Sequence, residues 1–278
     1  MTDGYELDPN DPATVTLQAN YERRSRQAAT LPGAQLNRPY GPDDRQRLDV
    51  FSAGATAPCL VFFHGGYWRA GSKDARLFPA PCWRARGVSW VAVNYRLLPD
   101  HSLAQATADA RAATVWLADN ATELGLDSTQ LHVAGNSAGG HLAAMVAADG
   151  WKDRPRVASL TAISGLFDLG PLVDTAANAW LRLDSGIVQD LSPIHHLPPP
   201  GLEVLVGWGG AETREFEDQS RAYAETCRRS GNPVEIFASA GADHFRIIGE
   251  FGAPGTTLFD RLLRLVARSA PSSDSHNS

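Results

Sequence analysis

Cysteine is scarce. Cys59, Cys82 and Cys227 are the only three, odd in number, widely separated and without metal-ligand spacing. That excludes a disulfide framework and fits reduced packing residues in a cytoplasmic protein. Basic charge is also short. The 25 Lys and Arg against 31 Asp and Glu leave a net charge of −6. A general polyanion binder is usually basic, so nucleic acid is not an expected partner. Leu60–Phe63 and Trp90–Val93 are strongly apolar, but no apolar run approaches the roughly 18 residues of a membrane span. A membrane is therefore not an expected partner either. Met1–Glu6 lacks the basic region and apolar stretch of a secretory leader. No His, Cys or carboxylate pair shows metal-site spacing such as H-E-x-x-H, so neither a metal nor another cofactor is expected.

What is present is globular in character. The apolar set makes up 43% and charged residues 20% of 278 residues, which rules out wholesale disorder. A chain of this size can bury about 75% of its unfolded surface. Asp11–Ala29 reads as an amphipathic helix within a helical extension over residues 1–36, and residues 269–278 read as a frayed, disordered tail. From Arg47 on, short apolar runs alternate with helical patterns. Strands are expected at Leu48–Phe51, Leu60–Phe63, Ser89–Asn94, Leu131–Ala134, Ser159–Ile163, Glu203–Gly207 and Val234–Phe237. The runs are near-continuous, as in strands covered on both faces. Helices fall between them, one with Leu103, Ala106, Ala110, Ala113 and Leu117 at helical spacing and a stop at Gly125. Another carries Phe216, Tyr223, Ala224 and Cys227, with Thr213 as its expected cap. Such alternation makes an α/β fold with a mostly parallel sheet over residues 37–268. Gly165–Gly201 breaks the rhythm with Pro171, Pro193 and Pro198–Pro200. It is expected to form a small cap over a site.

Gly135-Asn136-Ser137-Ala138-Gly139 is a G-x-S-x-G pentapeptide after an expected strand and before a helical pattern, Leu142, Met145, Val146. That context suits a nucleophile elbow, a turn so tight that its flanking positions need glycine. Ser137 would project at a helix N-terminus, where the dipole favours developing negative charge. Leu60–Phe63 runs into His64-Gly65-Gly66-Tyr67-Trp68. Glycines there let backbone N–H groups approach a substrate oxygen, so Gly66, Tyr67 and Ala138 are the expected oxyanion donors. His64 is expected to hold that loop by hydrogen bonds.

An elbow serine needs a histidine to take its proton, and in this type of fold the order is Ser, acid, His. His64, His101 and His132 precede Ser137, His141 lies on the helix that follows it, His195 and His196 fall in the irregular segment, and His276 is in the tail. His244, after the last expected strand, remains. Glu212, on the loop after Glu203–Gly207, is the first candidate acid, with Asp168 as its rival. Glu212 would hold the His244 Nδ1–H and fix its tautomer. Glu215, Glu217 and Asp218 fall inside the next helix, where acids suit the dipole.

These residues carry a resemblance. Asn37–Val266 is similar to α/β-hydrolases of the hormone-sensitive-lipase-like branch, and more narrowly to the kynurenine formamidase (arylformamidase) group. The marker is His64-Gly65-Gly66-Tyr67-Trp68, which fits H-G-G-x-W where lipase-like relatives carry H-G-G-G. Gly135–Leu142, Ser164–Leu169 with Pro171-Leu172, Ser192-Pro193, Glu212 and Asp243-His244-Phe245 fit as well. The resemblance implies hydrolysis of N-formyl-L-kynurenine to L-kynurenine and formate by Ser137, His244 and Glu212. Eukaryotic members of the group often carry aspartate as the acid, so Glu212 departs in type. A short-chain carboxylesterase is the alternative on the same scaffold. A non-catalytic binding protein is the remote one. Tyr67, Trp68, Phe167, Trp180 and Phe245, with His64 and Gly65, are expected around the substrate pocket, where aromatic bulk would suit a planar leaving group and a small acyl part. The expected partner is a small-molecule substrate, and a homodimer is left open.

Overall fold

Five consecutive buried residues, Cys59–Phe63, form the strand around which the layers are built. Cys59, Val61 and Phe63 enter one apolar core, and Leu60 and Phe62 enter another on the opposite face. Successive side chains of a strand point to opposite faces, so an unbroken apolar run demands cover on both. The computed structural model describes residues 4–151 and 155–268.

The strands are β1 Gln35–Pro39, β2 Arg47–Phe51, β3 Cys59–Phe63, β4 Ser89–Val93, β5 Leu131–Asn136, β6 Val157–Ile163, β7 Glu203–Gly209 and β8 Val234–Ser239. The helices are α1 Pro12–Ala28, α2 Ala80–Arg84, α3 Leu103–Asp119, α4 Ala121–Leu124, α5 Ala138–Ala147, α6 Asn178–Leu181, α7 Ser185–Leu191, α8 Arg214–Arg229, α9 Ile247–Glu250 and α10 Thr257–Arg268. The eight strands make one sheet in the order β1-β2-β4-β3-β5-β6-β7-β8. β1 and β2 pair antiparallel at one end, β2 runs antiparallel to β4, and the rest are parallel. Apolar residues of α3, α5 and α8 fill one core, and those of α2 and α10 fill the other.

All seven expected strands are present. β1 was not among them, and it begins inside the expected extension. Gln-Leu-Asn-Arg-Pro carries little apolar signal because β1 is an edge strand, where polar residues and proline are tolerated. Thr213 precedes α8 but makes no capping bond. Its hydroxyl donates instead to Gly4 O at 2.6 Å, so the N-terminal segment takes the group meant for the cap. The expected cap, Gly165–Gly201, holds α6, α7 and two short 3₁₀ turns. Leu166, Phe167, Leu169, Leu172, Leu181 and Leu183 sink into the α3–α5–α8 core, so the segment is anchored to that layer. The tail expected at 269–278 lies outside the described residues.

Candidate active site

Ser137 stands between β5 and α5 with φ 55° and ψ −125°. A side chain in that region carries strain of about 1–3 kcal/mol, which the surroundings must offset. The Ser137 N–H donates to Ile163 O at 2.8 Å. The flanking glycines allow the close approach. A Cβ on Gly135 would stand 2.2 Å from Gly139 O, and one on Gly139 2.0 Å from Phe63 O. No side chain fits either place, so the elbow is wedged between its own helix and β3.

The loop after β3 is fixed in the same manner. Gly66 has φ 121°, and Tyr67 and Trp68 follow at 50° and 52°. Gly66 O accepts from Arg69 N at 3.0 Å and Ala70 N at 2.9 Å. The His64 ring stacks on Tyr95 at 4.4 Å, and Tyr95 O–H donates to His64 O at 2.8 Å. His64 Nδ1 lies 2.8 Å from Gly65 O, and burial pushes the imidazole down to about 3. A neutral ring can donate there, which is the loop-holding role expected of it. Among the described residues, the Gly66 and Ala138 N–H groups have no acceptor within the protein. For Ala138 the cause is its place as the first residue of α5, where helix amides are unpaired.

His244 follows β8 and is buried, its side chain 6% exposed; that of Glu212 is 1% exposed. His244 Nδ1 lies 3.0 Å from Glu212 Oε2. Glu212 Oε1 accepts from Ser164 O–H at 2.6 Å and from Gly209 N–H at 2.7 Å. Phe216 packs on the imidazole at 4.4 Å. Of the two candidate acids, then, Glu212 stands against the histidine. Asp168 Oδ1 accepts from Gly170 N–H at 2.8 Å in its own turn. His141 and His132 are engaged elsewhere: His141 Nε2 meets Leu191 O at 2.7 Å and His132 Nδ1 meets Ser159 Oγ at 2.8 Å.

Ser137 and His244 open onto one cavity of about 470 Å³, together with Gly65, Gly66, Tyr67 and Phe245. No hydrogen bond joins the Ser137 hydroxyl to His244 among the described residues. Such bonds are often loose before substrate binds and tighten in the reacting complex.

Four expected pocket residues lie outside the cavity lining. His64 is enclosed in its loop, and Trp68 is fully buried against His141 at 4.8 Å. Phe167 stacks on Tyr223 at 4.2 Å, drawn in with the core of its segment. Trp180 packs edge-on to Tyr67 at 6.3 Å and under the Arg69 guanidinium at 4.7 Å, beside a separate groove. Leu7 and Pro9 of the N-terminal segment line the cavity, where nothing from Gly165–Gly201 does. That segment is tied down by Tyr67 O–H to Tyr5 O at 2.5 Å and Gln219 Nε2 to the Tyr5 hydroxyl at 3.0 Å. Gln18 of α1 also lines it, as do Arg69 and Arg76. Sequence reasoning missed these, since a wall residue in a polar stretch carries no periodic or motif signal.

Residues 60–188 match a family model described as the alpha/beta hydrolase fold. The chain is 28% identical over 264 residues to a kynurenine formamidase of Danio rerio, covering 91% of this chain and 87% of that protein. It is 29% identical over 247 residues to an ethyl acetate hydrolase of Pseudomonas putida, covering 79% of this chain and 72% of that one. A crystal structure of a putative thioesterase from Silicibacter sp. TM1040 superposes with a TM-score of 0.82 at 25% identity, over 95% of this chain and 98% of that one.

Proposed function

We propose that this chain, an enzyme with the α/β-hydrolase fold, is a serine hydrolase cleaving an aryl formamide, N-formyl-L-kynurenine, to L-kynurenine and formate. The observation that carries this reading is the Glu212–His244 contact, opening onto the same cavity as Ser137 in its strained elbow. The substrate is drawn from likeness to the formamidase over nine-tenths of the chain.

In this mechanism Ser137 Oγ attacks the formyl carbon while His244 Nε2 takes the hydroxyl proton. Glu212, held by Ser164 and Gly209, accepts from Nδ1–H and stabilises the imidazolium. The oxygen of the tetrahedral intermediate faces the N–H groups of Gly66, Tyr67 and Ala138. Each such donor is worth about 3–4 kcal/mol in the transition state. The C–N bond breaks, and His244 returns the proton to the leaving aryl nitrogen. Water, deprotonated by His244, then cleaves the formyl ester, releasing formate and restoring the Ser137 hydroxyl.

A short-chain carboxylesterase is the second reading, favoured by likeness to the ethyl acetate hydrolase. Both follow the same steps with a different leaving atom. The deciding assay sets N-formyl-L-kynurenine beside p-nitrophenyl acetate and compares kcat/KM. Acetate cleavage with no formamidase activity rejects the narrower reading. A fluorophosphonate probe that labels wild type but not Ser137→Ala separates an enzyme from a binding protein.

A further inference from the structure

Among the described residues, formal charge in the cavity wall is of one sign. Arg69 and Arg76 line it beside Ser137 and His244, and no aspartate or glutamate among the described residues does. The chain as a whole carries −6, so the cavity runs against the average.

Arg76 is 8% exposed. Its Nη1 donates to Ala75 O at 3.0 Å and its Nη2 to Gln18 Oε1 at 3.3 Å, while Nε is buried without a partner. Neither Arg69 nor Arg76 makes an ion pair among the described residues. Other buried charges here are matched. Lys73 Nζ lies 2.8 Å from Asp49, and Arg96 lies 2.7 Å from the buried Asp109. Buried charges are normally paired because desolvation is costly. Burial pushes the Arg76 guanidinium down to about 10, which leaves it a cation at neutral pH. A buried, unpaired cation in the wall of a reactive cavity is a place for an anion that arrives with the substrate. The planar fork of arginine suits a carboxylate.

We propose that Arg76, with Gln18 and Arg69, forms an anion subsite in this cavity, and that the substrate carries a carboxylate remote from the bond cleaved. The inference rests on the cavity being the site of hydrolysis, but not on whether that bond is a formamide or an ester. N-formyl-L-kynurenine has such a group at its amino-acid end. Arg76 is then a specificity-determining residue.

Two matched pairs test it by kcat/KM: 4-formamidobenzoate against 4-formamidobenzamide, and 4-acetoxybenzoate against 4-acetoxybenzamide. Wild type should prefer the carboxylate member of a cleaved pair by about 10-fold or more, the scale of a charge-assisted contact. Arg76→Gln should lose most of that preference, and Arg76→Lys should keep part of it. Equal rates in wild type, or an equal drop for both members in Arg76→Gln, would overturn the subsite. Formamides left intact while acetates are cleaved would remove the formamidase reading and leave the acetate pair to decide. Titration calorimetry of benzoate and benzamide into wild type and Arg69→Gln covers a misfolded Arg76→Gln or a chain that cleaves neither pair. Tighter benzoate binding, weakened by Arg69→Gln, supports the subsite, and indifference to charge sinks it.

Discussion

Glu212 and His244 meet through Oε2 and Nδ1 at 3.0 Å, while Glu212 Oε1 is clamped by Ser164 and Gly209. The carboxylate therefore cannot swing away without breaking two further bonds, and in the proposed mechanism it accepts from Nδ1–H and so leaves Nε2 as the base. Glu212→Gln should lower kcat by about 10⁴, the scale seen when a triad acid becomes an amide. Asp168→Asn, in a turn of its own, should cost far less. The opposite ranking in steady-state kinetics would remove Glu212 from the triad.

Ser137→Ala should reduce kcat by about 10⁴ to 10⁶ while the protein stays folded. Circular dichroism and thermal melting check the fold. More than a few per cent residual rate in the purified variant would sink the nucleophile assignment. Wild-type activity should survive prolonged chelation.

A small acyl site predicts a chain-length order. p-Nitrophenyl acetate should exceed butyrate and octanoate in kcat/KM, each misfitting methylene costing about 1 kcal/mol or more in a pocket that cannot yield. A maximum at octanoate would reject a small site.

Burial lowers His64 to about 3 and both His132 and His141 to about 4, from an ordinary 6.5. Below the ordinary value the unfolded chain takes up a proton at each position that the folded chain refuses. Stability is thus lost as pH falls from 6.5 towards 4, by about 1.4 kcal/mol per unit for each group. Urea unfolding at pH 7 and pH 5 should show the loss. His132→Gln should reduce it by about 2 kcal/mol over that interval. A pH dependence identical to wild type would exclude His132 as a contributor.

Leu7 and Pro9 form part of the cavity wall, held through Tyr5 and Gly4. Removing residues 1–9 should raise KM by about 10-fold and change kcat less, as loss of binding without loss of transition-state contacts does. A kcat collapse with unchanged KM would contradict that role.

The parallel sheet was legible because its strands are buried on both faces and leave unbroken apolar runs such as Cys59–Phe63. Ser137 was legible because its backbone geometry imposes glycine at Gly135 and Gly139. His244 and Glu212 followed from chain order, and the structure places them together. The aromatics misled: Trp68 and Phe167 are as apolar as pocket residues but are spent on core packing. Arg76 left no trace in the sequence, because an unpaired arginine is recognised only once its surroundings are known.

Tyr5 docks on Gln219 and Gly4 on Thr213, more than 200 residues later in the chain. During synthesis at about 5–20 residues per second, that first segment must wait beside a growing chain, its docking surface unmade. His244, which faces the same cavity, lies later still, so the wall made by Leu7 and Pro9 and the imidazole opposite it are completed together, near the end of the fold.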